Sequence, residues 1–292
     1  MARQQKSLER LQVAVEVLQE HHPMTVRQVY YQLVSRQVIK NERAMYQAVS
    51  DLLVAARKDG TIPWDWIEDR LRRPRSVSMW ADLSDFAKDA LRAYRRDVWA
   101  TQPQYVEVWL EKDALSGIFE DALAPYGVTL NVGRGFDGWD SIRNAGDRYL
   151  EHDAATILYF GDFDPSGEDM VRSLRERIDE YLCLDGDVER EVLGLAGMPD
   201  VNVEIIKCAL NPDDIARYRL PPAFAKKSDS RAAKFIARHG DVSVELDALP
   251  IEVLRARIVS EVESYLDLAA LAQVRAEEKT EREQLMQSLS AA

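Results

Sequence analysis

From Tyr105 onward the chain alternates short apolar runs with segments of helical pattern, and this alternation limits its fold more than any other feature. Tyr105 to Leu110, Val128 to Val132 and Ala155 to Phe160 read as buried strands, while Ala114 to Pro125, Trp139 to Leu150 and Glu168 to Leu182 carry the apolar spacing of helices. Strands joined through helices pair in parallel and are covered by those helices, so the expectation is an α/β sheet domain. Val201 to Leu210 and Val242 to Leu246 are candidates for further strands, and Pro250 to Leu289 reads as helical and charged.

The chain before Tyr105 has a different character. Ser7 to Glu20 places Leu8, Leu11, Val15 and Leu18 on one helical face and ends near His21-His22-Pro23. Thr25 opens a second helix with Gln28 as capping-box partner, and a third runs from Glu42 to Lys58 and stops at Gly60. Thr61 to Arg75 then combines turn residues, two tryptophans and a basic tail. The pattern fits a helix-turn-helix or winged-helix module, and it fits a plain helical bundle as well. A polar helix from Ser84 to Trp99 leads to Thr101-Gln-Pro-Gln104, which divides the chain into 1–100 and 101–292.

In an open parallel sheet the functional crevice lies outside the carboxyl ends of the strands. The first strand delivers Glu111, with Lys112 beside it, and the third delivers Asp162 and Asp164 within Tyr159-Phe-Gly-Asp-Phe-Asp-Pro-Ser-Gly-Glu-Asp169. Acids gathered at one edge repel unless a cation sits among them, and an oxygen-only donor set suits Mg²⁺. The plainer reading is that Asp162 and Asp164 cap the helix starting near Gly167. One acid suffices for a cap, so a second, with Glu111 on a neighbouring strand, favours metal binding. Pro165 and Gly167 would fix the turn and let backbone approach a phosphate.

Charge bears on the partner. The net charge is −12, yet the first hundred residues hold 17 Lys and Arg against 13 Asp and Glu, while the remainder holds 21 against 37. A basic first third on an acidic remainder is compatible with DNA held by the former and cations by the latter. Cys183, Cys208 and the histidines at 21, 22, 152 and 239 form no metal-ligand spacing, which argues against zinc and disulfides. No apolar run reaches bilayer length and the N-terminal residues lack a signal core, so a cytoplasmic protein with no membrane partner is expected.

Glu111 after an apolar strand, followed by Asp162-x-Asp164-Pro-x-Gly167, resembles the Toprim metal site of topoisomerases, primases and related nucleases. Val26-Arg-Gln-Val-Tyr-Tyr31 resembles the Arg-x-x-Tyr-Tyr motif in the catalytic winged-helix domain of the topoisomerase VI A subunit and the meiotic double-strand-break proteins. Leu210-Asn-Pro-Asp-Asp-Ile, Leu220-Pro-Pro, Lys227-Ser-Asp-Ser-Arg231 and Val244-Glu-Leu-Asp-Ala-Leu249 look like segments of the compact Mini-A proteins of phages and plasmids. The resemblance thus spans nearly the whole chain.

It implies a winged-helix (CAP-like) domain over 1–100 and a Toprim, Rossmann-like parallel-sheet domain with C-terminal helices over 101–292. It also implies a DNA-cleaving transesterase. Tyr31, second of the tyrosine pair, would attack DNA phosphorus to leave a 5′-phosphotyrosyl link and a free 3′-OH. Glu111, Asp162 and Asp164 would hold Mg²⁺, with Mn²⁺ able to substitute. Neighbouring helical residues point about 100° apart, so one of Tyr30 and Tyr31 packs instead. Arg27, one turn before Tyr31, would hold the phosphate.

The resemblance further implies double-stranded DNA as partner and a homodimer in which one protomer's tyrosine meets the other's metal, giving double-strand breaks with short 5′ overhangs. The chain has no Gly-rich ATPase loop, so strand passage would need a separate ATPase or loading partner. A hydrolytic Toprim nuclease of plasmid or phage defence and a catalytically inactive DNA-binding adaptor are the alternatives. Gly133 to Gly138 reads as a loop near DNA or a plain connection, and Lys226-Lys227 with Arg231 as phosphate contacts or a solvated face. Glu245 is expected to be structural.

Overall fold

The computed structural model describes residues 2–68, 77–133, 138–182, 201–222 and 229–290. The chain begins with α1 (Ala2–His21), α2 (Val26–Ser35) and α3 (Arg43–Lys58), which pack on one another through Val17, Leu18, Val29, Leu33, Val49 and Leu53. Thr25 caps α2 through the expected box with Gln28, its side chain accepting the Gln28 N–H while the Gln28 side chain accepts the Thr25 N–H at 2.6 Å. Gly60 closes α3 at φ +83°, a conformation glycine adopts without strain.

After the three helices, Met24 and Ile67 form one parallel bridge, and no hairpin wing occurs among the described residues. The basic tail of the following segment, from Arg70 to Arg75, lies outside them. The polar helix is shorter than its pattern suggested: α4 (Leu83–Ala93) ends where Tyr94 turns extended, and Trp99 starts a separate 3-10 turn.

The sheet follows. β1 (Tyr105–Leu110), β2 (Thr129–Val132), β3 (Ala154–Phe160) and β4 (Asn202–Ala209) pair in parallel in the order β2-β1-β3-β4. The two central strands are buried on both sides, which is why β1 and β3 read as unbroken apolar runs. α5 (Ser116–Leu123) covers one face, with Phe119 edge-on to Phe160, and α6 (Trp139–Tyr149) covers the other beside α7 (Pro165–Leu182).

β1 carries one buried charge, Glu107. Arg148 of α6 binds it in a fork at 2.5 and 3.1 Å, and Asn131, Tyr149, Tyr105 and Trp109 donate to its remaining lone pairs. A carboxylate so fully satisfied is tolerated in a core that would otherwise reject it.

The C-terminal part departs from its sequence pattern in two places. Val242 to Leu246 is not a strand: Val244 makes an isolated antiparallel bridge to Phe163, and the chain then coils into a 3-10 turn at Leu246–Ala248. α8 (Pro212–Arg217) and α9 (Ala232–His239) precede that turn. The final helical stretch is two helices, α10 (Ile251–Glu263) and α11 (Leu268–Ser290), of which α10 packs on α5 and α11 on α4. No helix among the described residues is long and apolar enough to cross a membrane.

Candidate active site at the carboxyl edge of the sheet

β1 and β3 are hydrogen-bonded neighbours, so the residues that follow them emerge side by side. Glu111 extends the ladder by donating its N–H to Phe160 O at 2.9 Å, and its Oε2 accepts the Asp162 N–H at 2.8 Å. Gly161 makes this approach possible, since a Cβ there would lie 2.5 Å from Glu111 Oε2. Gly167 is constrained in the same way, because its Cβ would stand 2.3 Å from the Asp162 carbonyl oxygen.

The two aspartates have different duties. Asp164 Oδ1 accepts the Gly167 N–H at 2.7 Å and so caps α7, which starts at Pro165. Asp162 caps nothing: its Oδ1 accepts the Leu246 N–H at 2.7 Å and meets Lys112 Nζ at 2.9 Å. Lys207 of β4 closes the far side, donating to Asp162 O at 3.1 Å and to Glu168 at 2.6 Å.

Lys112 is the hub. Its buried ammonium also reaches Asp247 Oδ2 at 2.6 Å and Glu245 Oε2 at 2.8 Å. Burial disfavours that charge, but the carboxylates, Asp247 foremost, outweigh it and hold the lysine above its ordinary pKa. The turn at 246–248 packs against α2, which brings the N-terminal helices into the same cluster. Arg27 Nη2 lies 2.5 Å from Glu245 Oε2, its guanidinium stands 5.6 Å from the centre of the Tyr31 ring, and the Tyr31 hydroxyl is near enough to Glu245 for each to shift the other's pKa. Arg27 and Tyr31 therefore share one face, as their spacing implied.

Electrostatics at the edge is uneven. Burial, then the negative charge of Glu245, raises the Tyr31 hydroxyl above its usual pKa. Burial would raise Glu245 too, but Lys112, Tyr31 and Arg27 hold it at about 2. Burial pushes the Asp162 carboxyl up to about 7 despite Lys112, with Glu111 adding repulsion. Glu111 is raised in turn by burial, and the charge of Asp164 adds to it.

These acids fit a hard divalent cation in their chemistry. The donors are all oxygens, burial raises both Glu111 and Asp162 above the usual carboxylate range, and Asp247 Oδ1 is buried with no hydrogen-bond partner among the described residues. The ligand oxygens of Glu111, Asp162 and Asp164 do not all lie within 4.8 Å of one another; among the described residues Glu20, His21 and Glu252 are the group that does. His21 Nε2 there meets Glu252 at 2.6 Å, an ion-pair distance that joins α1 to α10 and that no spacing in the sequence announces.

Glu111, Asp162 and Asp164 thus lie at one edge, and Tyr31 and Arg27 reach the same cluster from 1–100. The resemblance implies that a partner's tyrosine would serve this metal; here Tyr31 contacts Glu245 of its own chain. Glu245, expected to be structural, joins the site, and Lys112, Asp247 and Lys207 join it unforeseen. Signals for two of them were present: Lys112 follows Glu111 at a strand end, and Glu245-x-Asp247 repeats the spacing of Asp162-x-Asp164.

Arg231 is engaged by Asp229 and Asp169 and donates to Ser166 Oγ at 3.0 Å. Arg134 to Asp137, Lys226, Lys227 and Cys183 lie outside the described residues. No family model matches this chain, and a search of curated proteins finds no significant match.

Proposed function

We propose that this chain is a Mg²⁺-dependent DNA-cleaving transesterase of the type IIB topoisomerase A-subunit kind. One observation carries the reading: a tyrosine hydroxyl and a guanidinium from α2 meet, through Glu245 and Lys112, the acids at the carboxyl edge of the parallel sheet. A parallel sheet ending in Glu111, Asp162 and Asp164 supports a Toprim identity for 101–292, and three packed helices carrying Tyr31 support a winged-helix identity for 1–100.

In this reading Tyr31 Oη attacks phosphorus, the P–O3′ bond breaks, and the proton released by the tyrosine ends on the 3′ oxygen. Arg27 holds a non-bridging phosphate oxygen, and Lys112 keeps Asp162 and Asp247 from repelling the substrate. A tyrosine ionises near pH 10 in water, about 10 being its ordinary pKa, so attack requires positive charge close to the hydroxyl. Glu111, Asp162 and Asp164 would hold Mg²⁺, or Mn²⁺, which when bound supplies charge stabilisation at the phosphate oxygens.

Double-stranded DNA is the proposed substrate, a homodimer the unit that breaks both strands, and a separate ATPase or loading protein the partner for strand passage. The proposed setting is the cytoplasm of a cell carrying a phage or plasmid. Incubation with supercoiled plasmid and Mn²⁺, quenched with denaturant, should yield linear DNA bound covalently to protein; an equal yield from Tyr31→Phe defeats the proposal.

Burial first, and then Glu245, raise the Tyr31 hydroxyl above its ordinary pKa, which favours a second reading in which water is the nucleophile of a hydrolytic nuclease. That reading predicts cleavage without adduct, retained in Tyr31→Phe. Salt-dependent DNA binding with no cleavage at all would leave the inactive adaptor.

A further inference from the structure

Three groups suited to a phosphate converge on one side chain of the protein itself. Glu245 Oε2 receives Arg27 Nη2 at 2.5 Å and Lys112 Nζ at 2.8 Å, and the Tyr31 ring stands beside them, 5.6 Å from the Arg27 guanidinium. Two cationic donors and a hydroxyl around one anionic oxygen pair reproduce the surroundings a tetrahedral oxyanion requires.

Position separates Glu245 from the other acids nearby. The Asp247 side chain is fully buried, and that of Asp162 is 10% exposed, whereas Glu245 is 37% exposed and Arg27 44%, so this carboxylate stands at the mouth of the site. Lys112 would remain neutralised by Asp247 at 2.6 Å and Asp162 at 2.9 Å if Glu245 left. Glu245 itself sits in extended backbone just before the 3-10 turn, outside any helix or ladder that would fix its side chain. It is therefore the one anion of the cluster that can leave without stranding a buried charge.

We propose that Glu245 is a resident stand-in for the DNA phosphate: it fills an anion site formed by Arg27, Lys112 and Tyr31, and a phosphate must displace it to engage them. The inference rests on reading Tyr31 and Arg27 as phosphate-handling residues. While Glu245 is in place, the arginine and the lysine are occupied and a carboxylate, not a phosphate, stands beside the tyrosine. The chain is thereby kept from acting on anions that bind weakly, and DNA, which brings many phosphates at once, can compete.

The test uses inorganic phosphate as probe, titrated calorimetrically into the full chain without metal. Glu245→Gln keeps the shape and removes the competing charge, and should bind phosphate about tenfold more tightly than the parent, the loss of one charge-assisted rival. Adding Arg27→Gln should abolish that gain. Unchanged or weaker binding by Glu245→Gln with an intact thermal transition overturns the proposal, as does a gain that survives Arg27→Gln.

If Glu245→Gln does not fold, Glu245→Asp, which draws the charge back by one methylene, should still gain about threefold, and no gain there is equally adverse. Because phosphate binding is read without cleavage, the two readings fail separately. Tighter phosphate binding in a chain that never forms an adduct sinks the transesterase alone, and adduct formation by a parent whose Glu245→Gln form gains nothing sinks the stand-in alone.

Discussion

Tyr30 and Tyr31 meet edge to face, ring centroids 5.1 Å apart and planes inclined at 78°, yet their hydroxyls serve different ends of the fold. Tyr30 donates to Asn41 Oδ1 at 3.0 Å and lies within 3.3 Å of Glu42 O, pinning the turn into α3, while Tyr31 faces Glu245. Tyr30→Phe should therefore keep adduct formation and lose about 1 kcal/mol of stability, the net worth of one hydrogen bond. Tyr31→Phe should abolish the adduct. Denaturant-trapped complexes on a gel, beside urea unfolding of both variants, check the pair.

A methyl group at position 161 would meet Glu111 Oε2 at 2.5 Å, and Tyr159 at 2.6 Å. Gly161→Ala should push the Glu111 carboxylate off the Asp162 N–H and weaken Mn²⁺ binding by about tenfold or more, the range seen when the supports of a metal ligand are removed. The Mn²⁺ concentration giving half-maximal adduct reads this directly. Gly167→Ala, whose Cβ would run into the rigid Asp162 carbonyl, should instead lower the unfolding midpoint.

Asp162 gives a pH dependence with a definite sign. Its folded pKa of about 7 exceeds the ordinary 3.8, so between these values the folded chain keeps a proton that the unfolded chain has released. Stability without metal should fall as pH rises from about 4 to about 7 and level off above. A bound Mg²⁺ takes the place of that proton, so the Mg²⁺-induced rise in thermal midpoint should be larger at pH 8 than at pH 5, and Asp162→Asn should remove both effects.

Glu107 is a structural charge on β1, fully buried and remote from Lys112 in its hydrogen bonding. Truncation to alanine leaves the Arg148 guanidinium without its counter-ion and several donors without an acceptor. A loss of about 3 to 5 kcal/mol in urea unfolding is expected, the typical result of breaking a buried pair. Glu107→Gln, which keeps the shape and part of the bonding, should lose less.

The parts of the fold legible in the sequence are those governed by local pattern. Thr25 and Gln28 announce the cap of α2 three residues apart, and the runs of β1 and β3 are apolar because both their faces are covered. Where a long-range contact decides, the pattern misleads. Val242 to Leu246 has strand composition, but the Leu246 N–H goes to Asp162 Oδ1 rather than to a ladder, and the segment coils.

The site divides in the same way. Glu111, Asp162 and Asp164 are readable because strand ends advertise them. The placement of Glu245 depends on Lys112, 133 residues away, and its one local signal, the acid-x-acid spacing with Asp247, follows no strand end that would advertise it. Asp164 spends one oxygen on the Gly167 N–H and keeps the other, so the cap is compatible with the proposed metal holding.

The bond between Arg27 and Glu245 joins positions 218 residues apart. A chain leaving the ribosome has made α2 first and the Asp162 edge later, and the turn that joins them follows only after both. Contacts of such separation form late in folding. A product that stops before Glu245 therefore carries Tyr31 and Arg27 without the carboxylate that joins them to Lys112, so the closing of this cluster is timed by translation itself.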